Sequence, residues 1–289
     1  ILSIGDDPEE TGMETALSLL YPGHPFSLPI AGTRDGVAGL DAETVRDRYR
    51  RAFSAGPDLV TAAGLVDAAS LALLLESFPA LGARRTDGIA PVWNAGRFAR
   101  RSPFGQAQVF LSFPLVEPRV SESWMKWAMI NAVTGDTVSS RLFQSLRESK
   151  GLCYSVYSFF SFGRDTAFWT ASLSTPAERA TVAYRALLDE IDKLADKGIS
   201  EGEVADAASH LSGEMRLSSD DTEYRMKRLA RQVMFSGSAV TTADSSGILA
   251  SMGRRLLDES VRRAFAPGTM NVLVYGDGRT CKECQRIWK

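Results

Sequence analysis

Apolar residues at positions 180, 184, 187, 188, 191, 194 and 195 have the spacing that gathers them on one face of a helix. Thr175-Pro176-Ala177-Glu178 precedes them with a capping hydroxyl, a first-turn proline and an N3 carboxylate, and Lys197-Gly198 closes the run. Ser200-Glu201-Gly202-Glu203 then repeats the capping pattern, so a second helix is expected to about Leu217. A third, from about Thr222 to Phe235, carries Arg225, Lys227, Arg228 and Arg231 among Met226, Leu229, Val233 and Met234. Asp220, Asp221 and Glu223 balance those cations, and the pattern reads as a solvated helix face. The periodicity changes over Gln106 to Phe113, Leu152 to Ser161 and Thr166 to Ser174, which are rich in β-branched and aromatic residues and predict strands. Phe162-Gly163-Arg164-Asp165 is the turn that makes a hairpin of the last two. With a further helix around Ser123 to Val133, helices lie before, between and after antiparallel strands, which predicts an α+β fold and not a doubly wound parallel sheet.

One pattern occurs twice. Arg50-Arg51-Ala52-Phe53 recurs as Arg262-Arg263-Ala264-Phe265, and a short apolar segment follows each copy and stops at a glycine, Gly64 or Gly276, 11 positions after the phenylalanine. The offset is 265 − 53 = 212 residues. Helix, turn, strand and terminal glycine matching together predict duplicated α+β domains of antiparallel sheet packed with helices, the first incomplete. Residues 1–77 are then the C-terminal part of a first domain whose front half would lie upstream of Ile1, and residues 104–289 are a complete second domain. Residues 78–103, punctuated by Pro79, Gly82, Gly88, Pro91, Gly96 and Pro103, read as the linker.

Charge and composition remove whole classes of function. Lys and Arg number 33 against 35 Asp and Glu, a net charge of −2 that leaves no electrostatic footprint for nucleic acid or an anionic membrane. No apolar run approaches the ~18 residues of a membrane span, and Ile1 to Glu10 has no signal-like core, so the chain reads as soluble with its compartment open. No strand is followed by a dinucleotide-binding or phosphate-loop glycine pattern. Cys153, Cys281 and Cys284 form no disulfide framework, and Cys281-Lys282-Glu283-Cys284 reads as an incidental or frayed tail, having no second pair to complete a zinc site. His24 and His210 are far apart, so the chain contains no paired-histidine zinc motif; Glu214, one turn beyond His210, is a solvated helix neighbour.

Candidate chemistry lies in the middle of the chain. Thr134-Gly135-Asp136-Thr137-Val138-Ser139-Ser140-Arg141-Leu142-Phe143 reads as a glycine-containing loop and a Ser-capped helix, which Lys150-Gly151 closes before the strand at Leu152-Cys153-Tyr154. The helix delivers Arg147 near its end and the strand brings back Tyr154 seven residues later, so a guanidinium and a phenol can converge as donors to a carbonyl oxygen. Read locally, Arg147 equally serves as an ion-pair partner and Tyr154 as a packing residue.

The wording S-S-R-L-F-x-x-L-R-E-x-x-G-L-x-Y over residues 139–154 resembles the second-domain signature of the inverted zinc metallopeptidases, the family of pitrilysin, insulin-degrading enzyme and mitochondrial processing peptidase. Gly23-His24-Pro25-Phe26-Ser27-Leu28-Pro29-Ile30-Ala31-Gly32 resembles a first-domain stretch of the same family, so the resemblance covers nearly the whole chain. It implies that Arg147 and Tyr154 bind the scissile carbonyl of a peptide substrate and support its tetrahedral intermediate, with Gly135 and Ser140 as further substrate contacts. It also implies a zinc centre that this chain does not hold: the H-x-x-E-H residues would lie upstream of Ile1, and the third ligand would fall near Ile4, which cannot ligate, unless Asp6 or Asp7 takes its place. No metal ligand is therefore assigned, and zinc is expected in a partner subunit or a missing segment. The reading that follows is an Arg/Tyr-bearing subunit, inactive alone and active beside a zinc-bearing homologous subunit or in a homodimer. A non-catalytic scaffold of the same fold and a fragment of a self-sufficient zinc protease are the alternatives.

Overall fold

The computed structural model describes residues 1–53, 59–76, 91–163 and 165–288. Helices α1 (Leu2–Gly5), α2 (Pro8–Leu20), α3 (Arg34–Ala38), α4 (Ala42–Phe53) and α5 (Ala68–Glu76) precede strands β1 (Gly96–Arg101) and β2 (Gln106–Pro114). Helix α6 (Ser121–Asn131) leads to the hairpin of β3 (Ser155–Phe162) and β4 (Ala167–Pro176). Then come α7 (Ala180–Lys197), α8 (Glu201–Ser218), α9 (Thr222–Ser236), α10 (Thr242–Ser251) and α11 (Arg254–Ala264), strand β5 (Asn271–Gly276) and α12 (Gly278–Ile287).

The strands form one mixed sheet in the order β1-β5-β2-β4-β3, antiparallel throughout except for the β1–β5 pair, which is parallel. Period-two alternation sorts its side chains into two buried faces. Val109, Leu111 and Phe113 share one face with Trp169, Ala171, Leu173, Val272 and Val274, beneath the apolar stripes of α6, α7 and α11. Phe110, Leu273 and Tyr275 point the other way, and α2 covers them through Ala16. That helix begins on Asp7, whose carboxylate accepts from the Glu9 and Glu10 amides. Its approach needs Gly12, because a Cβ there would come within 3.0 Å of the Phe110 ring. Residues from the start of the chain thus form the second cover of the sheet.

Several sequence expectations change. Thr175 does not cap α7: its hydroxyl donates to the Leu152 carbonyl at 2.7 Å, β4 runs on to Pro176, and the helix starts at Ala180 after a 3-10 turn. The capping box at Ser200 and Glu203 does form and opens α8. The segment 78–103, read as a linker, contains a strand: Gly96–Arg101 pairs with β5 along its length, its pattern hidden in the sequence by Arg97, Arg100 and Arg101. Residues 78–90 of that segment lie outside the described residues. The strand expected before Gly64 is not formed over residues 59–64. Finally, the Cys281–Cys284 tail is not frayed; both thiols are buried in α12, where burial pushes them up in pKa and Cys281 Sγ donates to the Arg100 carbonyl.

Candidate functional site

The site segment is built where α6 meets β3. Helix α6 passes into a wider π-helical turn, Ala132–Asp136. Gly135 is required in it, since a Cβ would lie 2.7 Å from the Ser158 amide nitrogen on β3. Below that contact Ser158 Oγ and Trp169 Nε1 both donate to Asn131 Oδ1, at 2.7 and 3.1 Å. The following turn ends at Ser140, and a second helical segment widens to π geometry over Phe143–Ser149.

Two anchors fix this second segment to the body of the fold. At its start Arg141 makes a bidentate pair with Glu203, Nε to Oε1 at 2.6 Å and Nη2 to Oε2 at 2.7 Å, and donates to the Gly198 carbonyl at 2.8 Å. Burial pushes the Glu203 carboxyl up, but the Arg141 hydrogen bonds and the Ser200 amide and hydroxyl outweigh it and hold the group down at about 2. At the other end Ser145 Oγ donates to Glu190 on α7 at 2.7 Å, with Lys193 and Lys150 on the same carboxylate oxygen. Burial raises the pKa of Glu190 as well, and these donors and the two lysine charges bring it below the usual value. Gly151 turns the chain at φ +57°, the Leu152 amide donates back to the Leu146 carbonyl, and the Tyr154 amide donates to the Ser174 carbonyl at 2.8 Å.

These constraints bring the Arg147 and Tyr154 positions to one end of the sheet. Arg147 is exposed, its guanidinium 4.9 Å from the centre of the Phe143 ring. Its charge also reaches the thiol of Cys153, the neighbour of Tyr154; burial nonetheless pushes that thiol up to about 11, so it is protonated and a poor nucleophile at neutral pH. Tyr154 is 64% exposed and borders an open groove with Phe104, Gln106, Pro176 and Glu178, closed on one side by Pro8 at the start of α2. Among the described residues no hydrogen bond joins Arg147 to Tyr154, and both residues are exposed.

Gly135 and Ser140 are not surface contacts. Gly135 is buried against β3, and Ser140 is 2% exposed with an Oγ that has no hydrogen-bond partner among the described residues and caps nothing. The glycine is there for close packing. Glu190 and Arg141 were not singled out by sequence reasoning. The pairs they form span 45 and 62 residues, and no local pattern signals them.

The residues near the expected third ligand do not fit a zinc ion. Asp7 is committed to capping α2, and His24 Nδ1 accepts from the Phe26 amide at 3.1 Å. Among the described residues no group of three or more His, Cys, Asp or Glu side chains converges in a way that could hold a metal. No chemical step is assigned to a metal in this chain.

The five-stranded mixed sheet with helices packed on both of its faces is an α+β fold. Residues 40–211 match the peptidase M16 inactive domain family, and the chain belongs to that family. It is 30% identical over 236 residues to an uncharacterized zinc protease of Mycobacterium tuberculosis, covering 78% of this chain and 53% of that protein. It is 28% identical over 262 residues to an uncharacterized zinc protease of Streptomyces coelicolor, covering 86% of this chain and 56% of that one. The chain thus spans about half the length of these relatives. Among solved structures, a peptidase M16 inactive domain from Pseudomonas fluorescens superposes with a TM-score of 0.78 at 17% identity, covering 94% of this chain and 66% of that one. A chain of complex III2 from Candida albicans superposes at 0.76 and 16% identity, covering 98% and 72%. These likenesses carry the fold. No described helix is long and apolar enough to cross a membrane.

Proposed function

We propose that this chain is the substrate-holding part of a zinc-metalloendopeptidase-like protein, in which Arg147 and Tyr154 donate hydrogen bonds to a peptide carbonyl. The observation that carries the reading is their shared presentation: both side chains are exposed, while the segment leading to Arg147 is tied to α8 and α7 through the Arg141 and Ser145 side chains and the Tyr154 amide is tied to β4. A guanidinium and a phenol on so fixed a support can meet the charge that develops on a carbonyl oxygen without reorganising. The remaining hydrolytic machinery belongs, in this reading, to a zinc-bearing homologous subunit or domain, and the relatives named zinc proteases support that assignment.

The test is peptide turnover by this chain combined with its zinc-bearing counterpart. Tyr154→Phe removes one donor and is expected to lower turnover about 100-fold, the usual cost of losing an oxyanion donor. Assembly, followed by sedimentation, is expected to stay unchanged because Tyr154 is not part of the core. Unchanged turnover would remove the assignment. The second reading is a scaffold that keeps the fold without the chemistry. It predicts that neither Tyr154→Phe nor Arg147→Gln alters any property beyond the surface they sit on.

A further inference from the structure

A recess on the helical side of the sheet lies at the opposite end of β3 from Tyr154. It is a cleft of about 470 Å³ between the end of β3, α6, α8 and α9. Trp124, Phe160 and Met215 form apolar walls, the two rings meeting edge to face with centroids 5.6 Å apart. Asp136, Glu214 and Arg231 stand exposed at its rim.

Its recessed polar group is Asn131, 4% exposed. An indole N–H can only donate, so the Trp169 Nε1 bond at 3.1 Å fixes which atom of the amide is the oxygen, and Ser158 Oγ occupies the same oxygen. The Nδ2 group is thereby turned away from both. Among the described residues it has no hydrogen-bond partner, and the residue lines the cleft. This amide N–H pair is a donor that the cleft can offer to a ligand's acceptor. The rim adds a second constraint. One cation against two carboxylates leaves it net negative, which disfavours an anionic acceptor and favours a neutral one such as a carbonyl oxygen. The volume and apolar walls are those of a small-molecule site. Because Asn131 sits behind the rim, its acceptor has to be carried inward on a compact apolar body. A polypeptide lying across the mouth would keep its carbonyls outside.

We propose that this cleft binds a small neutral carbonyl compound with an aromatic or bulky aliphatic body, held by Asn131 Nδ2 and the walls of Trp124, Phe160 and Met215. This site is independent of the peptidase reading.

Acetophenone is the probe, and the indole N–H resonance of Trp124, assigned with Trp124→Phe, is the readout on the unmodified chain. A saturable shift is expected, with benzoate, a similar ring bearing an anionic head, binding at least tenfold more weakly. Asn131→Asp is expected to weaken acetophenone about tenfold. Should that variant fail to fold, Met215→Trp, which fills the cleft from the opposite wall and leaves the Asn131 bonds in place, is expected to abolish the shift. Three results would overturn the proposal: no saturable shift, benzoate binding as tightly as acetophenone, or acetophenone binding unchanged by Met215→Trp. Binding of a phenylalanine-containing dodecapeptide without binding of acetophenone would also overturn it, in favour of a groove for chains.

Discussion

Helices α4 and α11 carry the same sequence device in opposite surroundings. Val45, Tyr49 and Phe53 lie on one face of α4, and with the offset of 212 residues they correspond to Leu257, Val261 and Phe265 of α11. In α11 the stripe is buried: Phe265 is 5% exposed and packs against Phe113, Trp127 and Trp169, and the strand that follows is buried at every residue. In α4 the same stripe is bare. Phe53 is 63% exposed and its ring contact is Tyr49, one turn back, while residues 59–64 form no strand. The tetrapeptide and its apolar spacing therefore specify a helix, and the sheet beneath decides whether the apolar face becomes core.

The largest expected effect separates the two copies directly. Phe265→Ala removes a ring from the centre of an aromatic cluster and is expected to cost about 3–5 kcal/mol of stability. Phe53→Ala is expected to change it by no more than about 0.5 kcal/mol, as at other exposed positions. Denaturant midpoints of the two variants measure the contrast. Equal losses would break it, since they would mean that the α4 stripe is packed in solution.

The same contrast explains what was legible in the sequence. The hairpin, α8 and α9 follow from local periodicity and caps, and the structure has them within a few residues of expectation. Strand β1 was missed because three arginines interrupt its alternation; it is a strand because β5 lies beside it. Thr175 had the right residues after it for a cap, but the Leu152 carbonyl, 23 residues away in sequence, takes its hydroxyl. At the site, Arg147 and Tyr154 were visible as a spacing on a recognisable motif. Gly135 and Ser140 were visible too, yet their burial depends on how closely the π-helical turn meets β3, a distance that no local pattern encodes. Glu190 and the Arg141–Glu203 pair were invisible for the same reason.

A smaller effect sharpens the comparison by asking what the sheet-bearing region gains from long-range charge pairs. Glu203→Gln leaves Arg141 with a poorer acceptor and loosens the start of the site helix, at an expected cost of about 1–3 kcal/mol. The acid dependence has a defined sign. The folded-state pKa of Glu203, about 2, lies below its ordinary value of 4.5, so its contribution is fully present above pH 4.5 and is lost as pH falls toward 2. Stability measured across that window is expected to fall less steeply in Glu203→Gln than in the parent chain. Parallel curves would show that the pair does not contribute to folding.

The smallest effect belongs to α4, which has an acid-sensitive carboxylate of its own. Asp41 accepts from the Thr44 amide at 2.7 Å at the start of the helix, and that bond, together with the Thr44 hydroxyl, lowers its pKa. A depressed pKa again means a contribution present above the ordinary value of 3.8 and lost as pH falls through the folded-state one. Because no residue of α4 is buried, that loss is expected to stay local. Asp41→Ala should speed amide exchange in the first turn of α4 and leave the denaturant midpoint where it was, whereas Glu203→Gln should move the midpoint. If Asp41→Ala also moves the midpoint, α4 is coupled to the core, and the bare stripe of Val45, Tyr49 and Phe53 has to be reinterpreted as a face that packs.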